Sequence, residues 1–156
     1  MTYTYDSLMW IPLLPLMGAA FNGLLGSKVP KMWVAAVGLM APVFSFLIAF
    51  SAFDTLRGFG PDSELVHEVY TWMAVGGLDL PVRFSFDALS ALMTLVVTGV
   101  GSLIHLYSVG YMEHDAGFAR YFAYLNLFMF AMLVLILGAS LPLLFVGWEG
   151  VGLCSY

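Results

Sequence analysis

Long apolar runs separated by short polar breaks dominate the 156-residue sequence. Four runs are complete: Ser7–Leu25, Met32–Phe53, Phe86–Val109 and Phe118–Leu137. A fifth begins at Leu141 and is still apolar at Tyr156. Each complete run is close to the roughly 20 residues that an α-helix needs to cross a bilayer core of about 30 Å. The pattern predicts an all-α bundle of membrane-spanning helices with the lipid bilayer as its solvent. A helix that stopped at Tyr156 would leave its last carbonyls unpaired in hydrocarbon. A longer chain is therefore expected.

The stretch Asp54–Ser85 breaks the pattern. Within it, Val69–Val75 and Leu78–Ser85 are β-prone runs on either side of Gly76-Gly77, which predicts a hairpin with a tight turn. Pro81 places the second strand at an edge. Such a hairpin would be a lid or a brace, and a brace is expected. Its neighbours His67, and further on Glu113, His114 and Asp115, are expected to be solvated loop residues.

Composition agrees with a membrane solvent. Apolar residues make up 62% of the chain and charged residues 10%, with a mean hydropathy of +0.94. A soluble domain carries about 25% charged residues. Net charge is −5 and only 5 residues are Lys or Arg, so the chain lacks a basic surface for nucleic acid. With one cysteine, Cys154, it offers no internal disulfide and no cysteine cluster for a metal. The positive charges also suggest an orientation. Ser27–Lys31 is short and basic and is placed in the cytoplasm, so the N-terminus and the hairpin are expected outside.

Glu149 is the first candidate for chemistry. It lies eight residues past Leu141, about 12 Å along a helix and hence near mid-membrane. An unpaired carboxylate there costs at least about 2.5 kcal/mol, so such residues face a partner, a wet cavity or a proton path. Burial favours its protonated form and a nearby cation its ionised form, which suits a group that loads and releases protons. The plainer role is a hydrogen-bonded glutamate tying helices together. Gly147, Gly150 and Gly152 around it would admit a close helix or water. His105, near the inner end of its run, is a second candidate for proton transfer. It is equally a helix-end histidine interacting with the terminal dipole. Asp87 reads as a helix N-cap and Arg120 as an inner anchor or ion-pair partner. No phosphate loop, His/Cys metal spacing or nucleophile elbow occurs. Nothing in these residues would bind NADH, flavin or an iron–sulfur cluster.

Four blocks carry a resemblance. Trp148–Tyr156 (WEGVGLCSY), Asp87–Met93 (DALSALM), His105–Met112 (HLYSVGYM) and Arg120–Phe128 (RYFAYLNLF) occur in order. Together they resemble the subunit L family of NADH–quinone oxidoreductase, respiratory complex I. The resemblance implies a proton-translocating, antiporter-like subunit of the membrane arm in a bacterial cell membrane. Its partners would be other membrane-arm subunits. NADH, flavin, iron–sulfur and quinone sites would lie in those other subunits, with no cofactor or metal in this chain. It further implies inverted repeats with broken helices near mid-membrane. Glu149 would match the family's fifth-helix glutamate, paired with a lysine on a later helix. The alternatives are an Mrp-type cation/proton antiporter subunit and a purely structural membrane scaffold.

Overall fold

The computed structural model describes residues 1–60 and 63–156. A short strand, β1 (Thr2–Thr4), and one 3-10 turn (Asp6–Met9) lead into α1 (Trp10–Leu24). Next come α2 (Lys31–Phe59), β2 (Glu64–Val75), β3 (Leu78–Phe86), α3 (Ala88–Tyr111), α4 (Phe118–Leu137) and α5 (Leu141–Ser155). The stretches Asp6–Leu24, Lys31–Phe59, Ala88–Tyr111 and Phe118–Leu137 are long and apolar enough to cross a membrane, and α5 is shorter but apolar. The chain is a multi-pass helical membrane protein with a small sheet.

The expected α4 limits match those found, and those of α1, α3 and α5 agree to within a few residues. The second helix does not end at Phe53 but runs on to Phe59. The first stop signal after Phe53 is Gly58, and Gly60, at φ 102°, is where the helix breaks. Ala52 and Leu56 are buried on this extension, and Thr55 Oγ1 donates to the Ser51 carbonyl at 2.9 Å. A 29-residue helix is about 43 Å long, so α2 tilts or projects beyond a hydrocarbon core of about 30 Å.

The hairpin forms around Gly76 and Gly77, whose φ angles are +59° and +88°. Two positive φ values in a two-residue turn match the right-handed twist of the flanking strands. β2 starts at Glu64, earlier than the predicted Val69, and its pairing with β3 shifts register at Glu68/Tyr70 and Thr71/Met73. The missed start carries Glu64, His67 and Glu68, which read as a solvated loop, whereas the shifts fall at and within the predicted part of the strand. Pro61 and Asp62, part of the predicted outer connection, lie outside the described residues. β1 was not anticipated, because three residues carry no periodic signal. It pairs in parallel with β2, giving the order β1-β2-β3 and leaving Pro81 on an edge strand as expected. His67 is not a solvated loop residue. It lies half-buried in β2, with Nδ1 3.4 Å from Asp6 Oδ1.

The sheet covers the bundle end where α1 and α3 begin and α2 and α4 end. Leu8, Ile11, Leu65, Phe86, Leu133 and Leu137 form the buried cluster between sheet and helices. The Ala139 N–H donates to the Arg83 carbonyl at 3.0 Å, which ties the α4–α5 link to the outer edge of β3. The hairpin is thus a brace. At the opposite end Val34, Phe118 and Phe122 close a smaller cluster. Large apolar side chains such as Leu89, Leu103 and Leu106 point outward. That surface is a liability in water and an ordinary one in lipid.

Candidate functional site

Ser140 caps α5, its Oγ accepting from the Leu143 N–H at 3.4 Å, and Pro142 sits in the first turn, where its missing N–H costs nothing. From that start α5 packs on α4 through Leu143, Gly147 and Gly150. A Cβ on Gly147 would stand 2.5 Å from the Leu135 nitrogen and 2.7 Å from its Cα. A Cβ on Gly150 would stand 2.9 Å from the Ala131 Cβ. Gly147 lets the helices touch backbone to backbone, and Gly150 makes room for the Ala131 methyl. Gly152 has open space beside it and takes no part in this contact.

Glu149 lies between Gly147 and Gly150 in sequence and is exposed. Two residues along a helix is about 200° of rotation, so Glu149 points away from the face that Gly147 sets against α4. Among the described residues its carboxylate has no hydrogen bond or ion pair. It stands about 12 Å along α5 from Leu141, on a helix face shared with the exposed Phe145 and Trp148.

His105 is placed elsewhere. It is 1% exposed, and its ring lies 6.3 Å from that of Phe122. His105 Nδ1 lies 2.7 Å from the Gly101 carbonyl. A carbonyl only accepts, so this bond fixes the proton on Nδ1 and leaves Nε2 as a bare acceptor in the neutral ring. Nε2 is buried without a partner. The ring lines a groove of about 240 Å³ between α3 and α4, whose other walls include Val100, Ile104, Phe128 and Met129. Glu149 is not part of that groove, and no hydrogen bond joins the two candidates among the described residues. The structure does not bring them together.

The supporting residues are also resolved. Asp87 caps α3, accepting from the Ser90 N–H at 2.8 Å, and Ser90 Oγ accepts from the Asp87 N–H at 2.7 Å. The Ser90 backbone bond holds the Asp87 carboxyl below its ordinary range, against a smaller opposing effect of burial. Arg120 is exposed and has no ion pair among the described residues. Lys31 is the better-fixed cation, with Nζ donating to the carbonyls of Glu113 at 2.7 Å and Asp115 at 3.1 Å. Sequence reasoning missed two buried polar groups, Asn22 and Asn126, at 1% and 0% exposure. Their signal was available, since an amide inside a long apolar run is rare and costly. No three His, Cys, Asp or Glu side chains among the described residues converge to hold a metal ion.

Four helices long and apolar enough to span a membrane, a shorter apolar fifth helix seated on α4 through glycines and carrying Glu149, and a small sheet against them define a membrane segment of the antiporter-like class. Two solved complexes share this fold. An archaeal membrane-bound sulfane sulfur reductase superposes with a TM-score of 0.72 at 19% identity, over 96% of this chain and 22% of that one. The Mrp complex from Dietzia sp. superposes with 0.71 at 26% identity, over 96% and 15%.

Sequence relatives narrow the class. The chain is similar to NADH-quinone oxidoreductase subunit L over nearly its whole length. It is 41% identical to that of Neisseria meningitidis, over 94% of this chain and 22% of the relative. Identity is 43% with that of Mycobacterium tuberculosis, over 92% and 23%, and 44% with that of Escherichia coli, over 79% and 19%. Residues 72–122 match the family described as NADH-Ubiquinone oxidoreductase (complex I), chain 5 N-terminus. The chain spans about a fifth of the length of these curated relatives.

Proposed function

We propose that this chain forms part of a proton-translocating membrane-arm subunit of an NADH–quinone oxidoreductase, with Glu149 as a proton-carrying group. The observation that carries the reading is the placement of Glu149. A carboxylate near mid-membrane, turned away from α4, against which α5 packs, stands ready for a partner beyond these helices. Lipid is a poor partner for a carboxylate, so the group is expected to meet a cation or water in the assembled protein. A nearby cation favours the ionised form, and its withdrawal favours proton uptake. The resemblance supplies a lysine on a later helix as that cation. Redox cofactors and quinone would be carried by other subunits, and the N-terminus and sheet would face the outside of a bacterial cell membrane.

The test is proton pumping in membrane vesicles carrying Glu149→Gln, normalised to NADH–quinone turnover and to assembled complex. Loss of pumping with assembly intact is the expected result. Unchanged pumping would return Glu149 to helix packing. Lost assembly would favour the scaffold role. The Mrp likeness supports a second reading, an Mrp-type cation/proton antiporter subunit. In that case cation/proton exchange would depend on Glu149 without NADH oxidation.

A further inference from the structure

α1 and α4 run antiparallel and meet in register, with Gly18 beside Asn126 and, one turn further on, Asn22 beside Phe122. A Cβ on Gly18 would stand 3.1 Å from Asn126 Oδ1. A Cβ on Gly38 of α2 would stand 3.2 Å from Asn22 Nδ2 and 2.7 Å from the Phe122 ring. Three helices therefore converge on two amides. Asn126 Nδ2 donates to the Phe122 carbonyl at 3.0 Å, but Asn126 Oδ1 has no partner. Asn22 Nδ2 and Oδ1 are both without partners, and both residues are buried. Each such polar atom costs roughly 1–3 kcal/mol when it is removed from water and left unpaired. Three orphaned atoms within one junction call for a ligand.

We propose that this junction is a water site, in which one water or a short chain of waters links the Asn22 amide to Asn126 Oδ1. Water can donate to the two carbonyl oxygens and accept from the amide N–H, which matches the unpaired set. The amides lie on successive helical turns, about 5.4 Å apart along the axis, a span suited to a bridge rather than a direct bond. A cation is a poorer occupant, because two neutral amide oxygens do not offset the cost of burying a charge. A groove of about 670 Å³ runs between α1 and α4 beside Asn22, with Ser27 and Arg120 near the Lys31 end of the bundle, while the amide atoms themselves are closed off from it. Water would enter from that polar end, past the small side chains of Ala19, Gly23 and Ala123. The site needs no proton traffic, so it stands or falls independently of Glu149.

The test is a cryo-EM map of the complete assembled complex at a resolution that shows water. The expected result is density at about 2.7–3.2 Å from the Asn22 amide and from Asn126 Oδ1. A dry junction with the two amides bonded directly, or one filled by another side chain, would overturn the proposal. The same map of Asn126→Leu is expected to lose the bridging density. Density that persists unchanged there would remove Asn126 as a ligand and overturn the bridge.

Discussion

Gly147 of α5 lies against the backbone of Leu135 of α4, so close that a Cβ would come within 2.5 Å of the Leu135 nitrogen. No side-chain rotation relieves a clash with backbone. Gly147→Ala is therefore expected to push α5 off α4, at a cost of about 1–3 kcal/mol from overpacking. Gly152→Ala, with open space around it, is the matched control. The check is the amount and thermal stability of assembled complex in membranes. Equal behaviour of the two variants would mean that the α4–α5 contact is looser than found. Because Gly147 sets the rotation of α5, it also sets where Glu149 points.

Lys31 joins two links at the same end of the bundle. Its ammonium donates to the carbonyls of Glu113 and Asp115 and lies 5.5 Å from the centre of the Phe118 ring. Charged hydrogen bonds of this kind are worth about 1.5–3 kcal/mol, less at an exposed site. Lys31→Met keeps the stem and removes the donors. It is expected to free the 112–117 link, so that added protease cuts there several-fold faster in vesicles that expose that end. An unchanged cutting rate would show that the link is held by its own turns, such as the Asp115 carboxylate accepting from the Gly117 N–H.

Asp87 gives a pH dependence of known sign. Its folded carboxyl titrates below the ordinary value of 3.8, chiefly because of the Ser90 N–H. A depressed carboxylate contributes stability that is complete above the unfolded pKa and is lost as pH falls through the folded one. Asp87→Asn keeps a capping side chain without the charge. The stability advantage of the native protein over this variant is expected to be constant near neutral pH and to shrink below about pH 4. Parallel thermal melts across that range decide it. An advantage that grows on acidification would contradict the capping geometry.

The helices were legible because hydrocarbon demands long unbroken apolar runs, and Asp87 and Gly76-Gly77 because caps and tight turns have their own residue chemistry. The end of α2 was misread because Asp54 and Arg57 look like loop residues. Both are exposed near the end of a helix longer than the hydrocarbon is thick, where charge is tolerated. β1 and the early part of β2 were not legible, since β1 has three residues and long-range pairing, and Glu64, His67 and Glu68 make the start of β2 look like a loop. Glu149 stood out by cost alone, whereas its direction depends on which glycines touch α4. Gly147 and Gly150 do and Gly152 does not, a distinction that spacing does not reveal. Asn22 and Asn126 became informative only when packing showed them buried around one junction.

His105 supplies the last expectation. Its Nδ1 proton is committed to the Gly101 carbonyl, so only Nε2 is free to take up another, and Nε2 has no partner among the described residues. A histidine kept only to satisfy a helix end would use both nitrogens or expose one. His105→Leu removes the acceptor, fills similar space and loses a local bond to the histidine's own helix. Assembly is therefore expected to persist, with proton pumping per NADH reduced. The reduction should be smaller than in Glu149→Gln, because His105 lies in a separate groove between α3 and α4. Vesicle pumping assays of both variants and their double mutant measure it. If the two groups act in one path, the double mutant should pump no worse than Glu149→Gln alone. If His105→Leu pumps normally, Nε2 is an idle acceptor with no part in pumping.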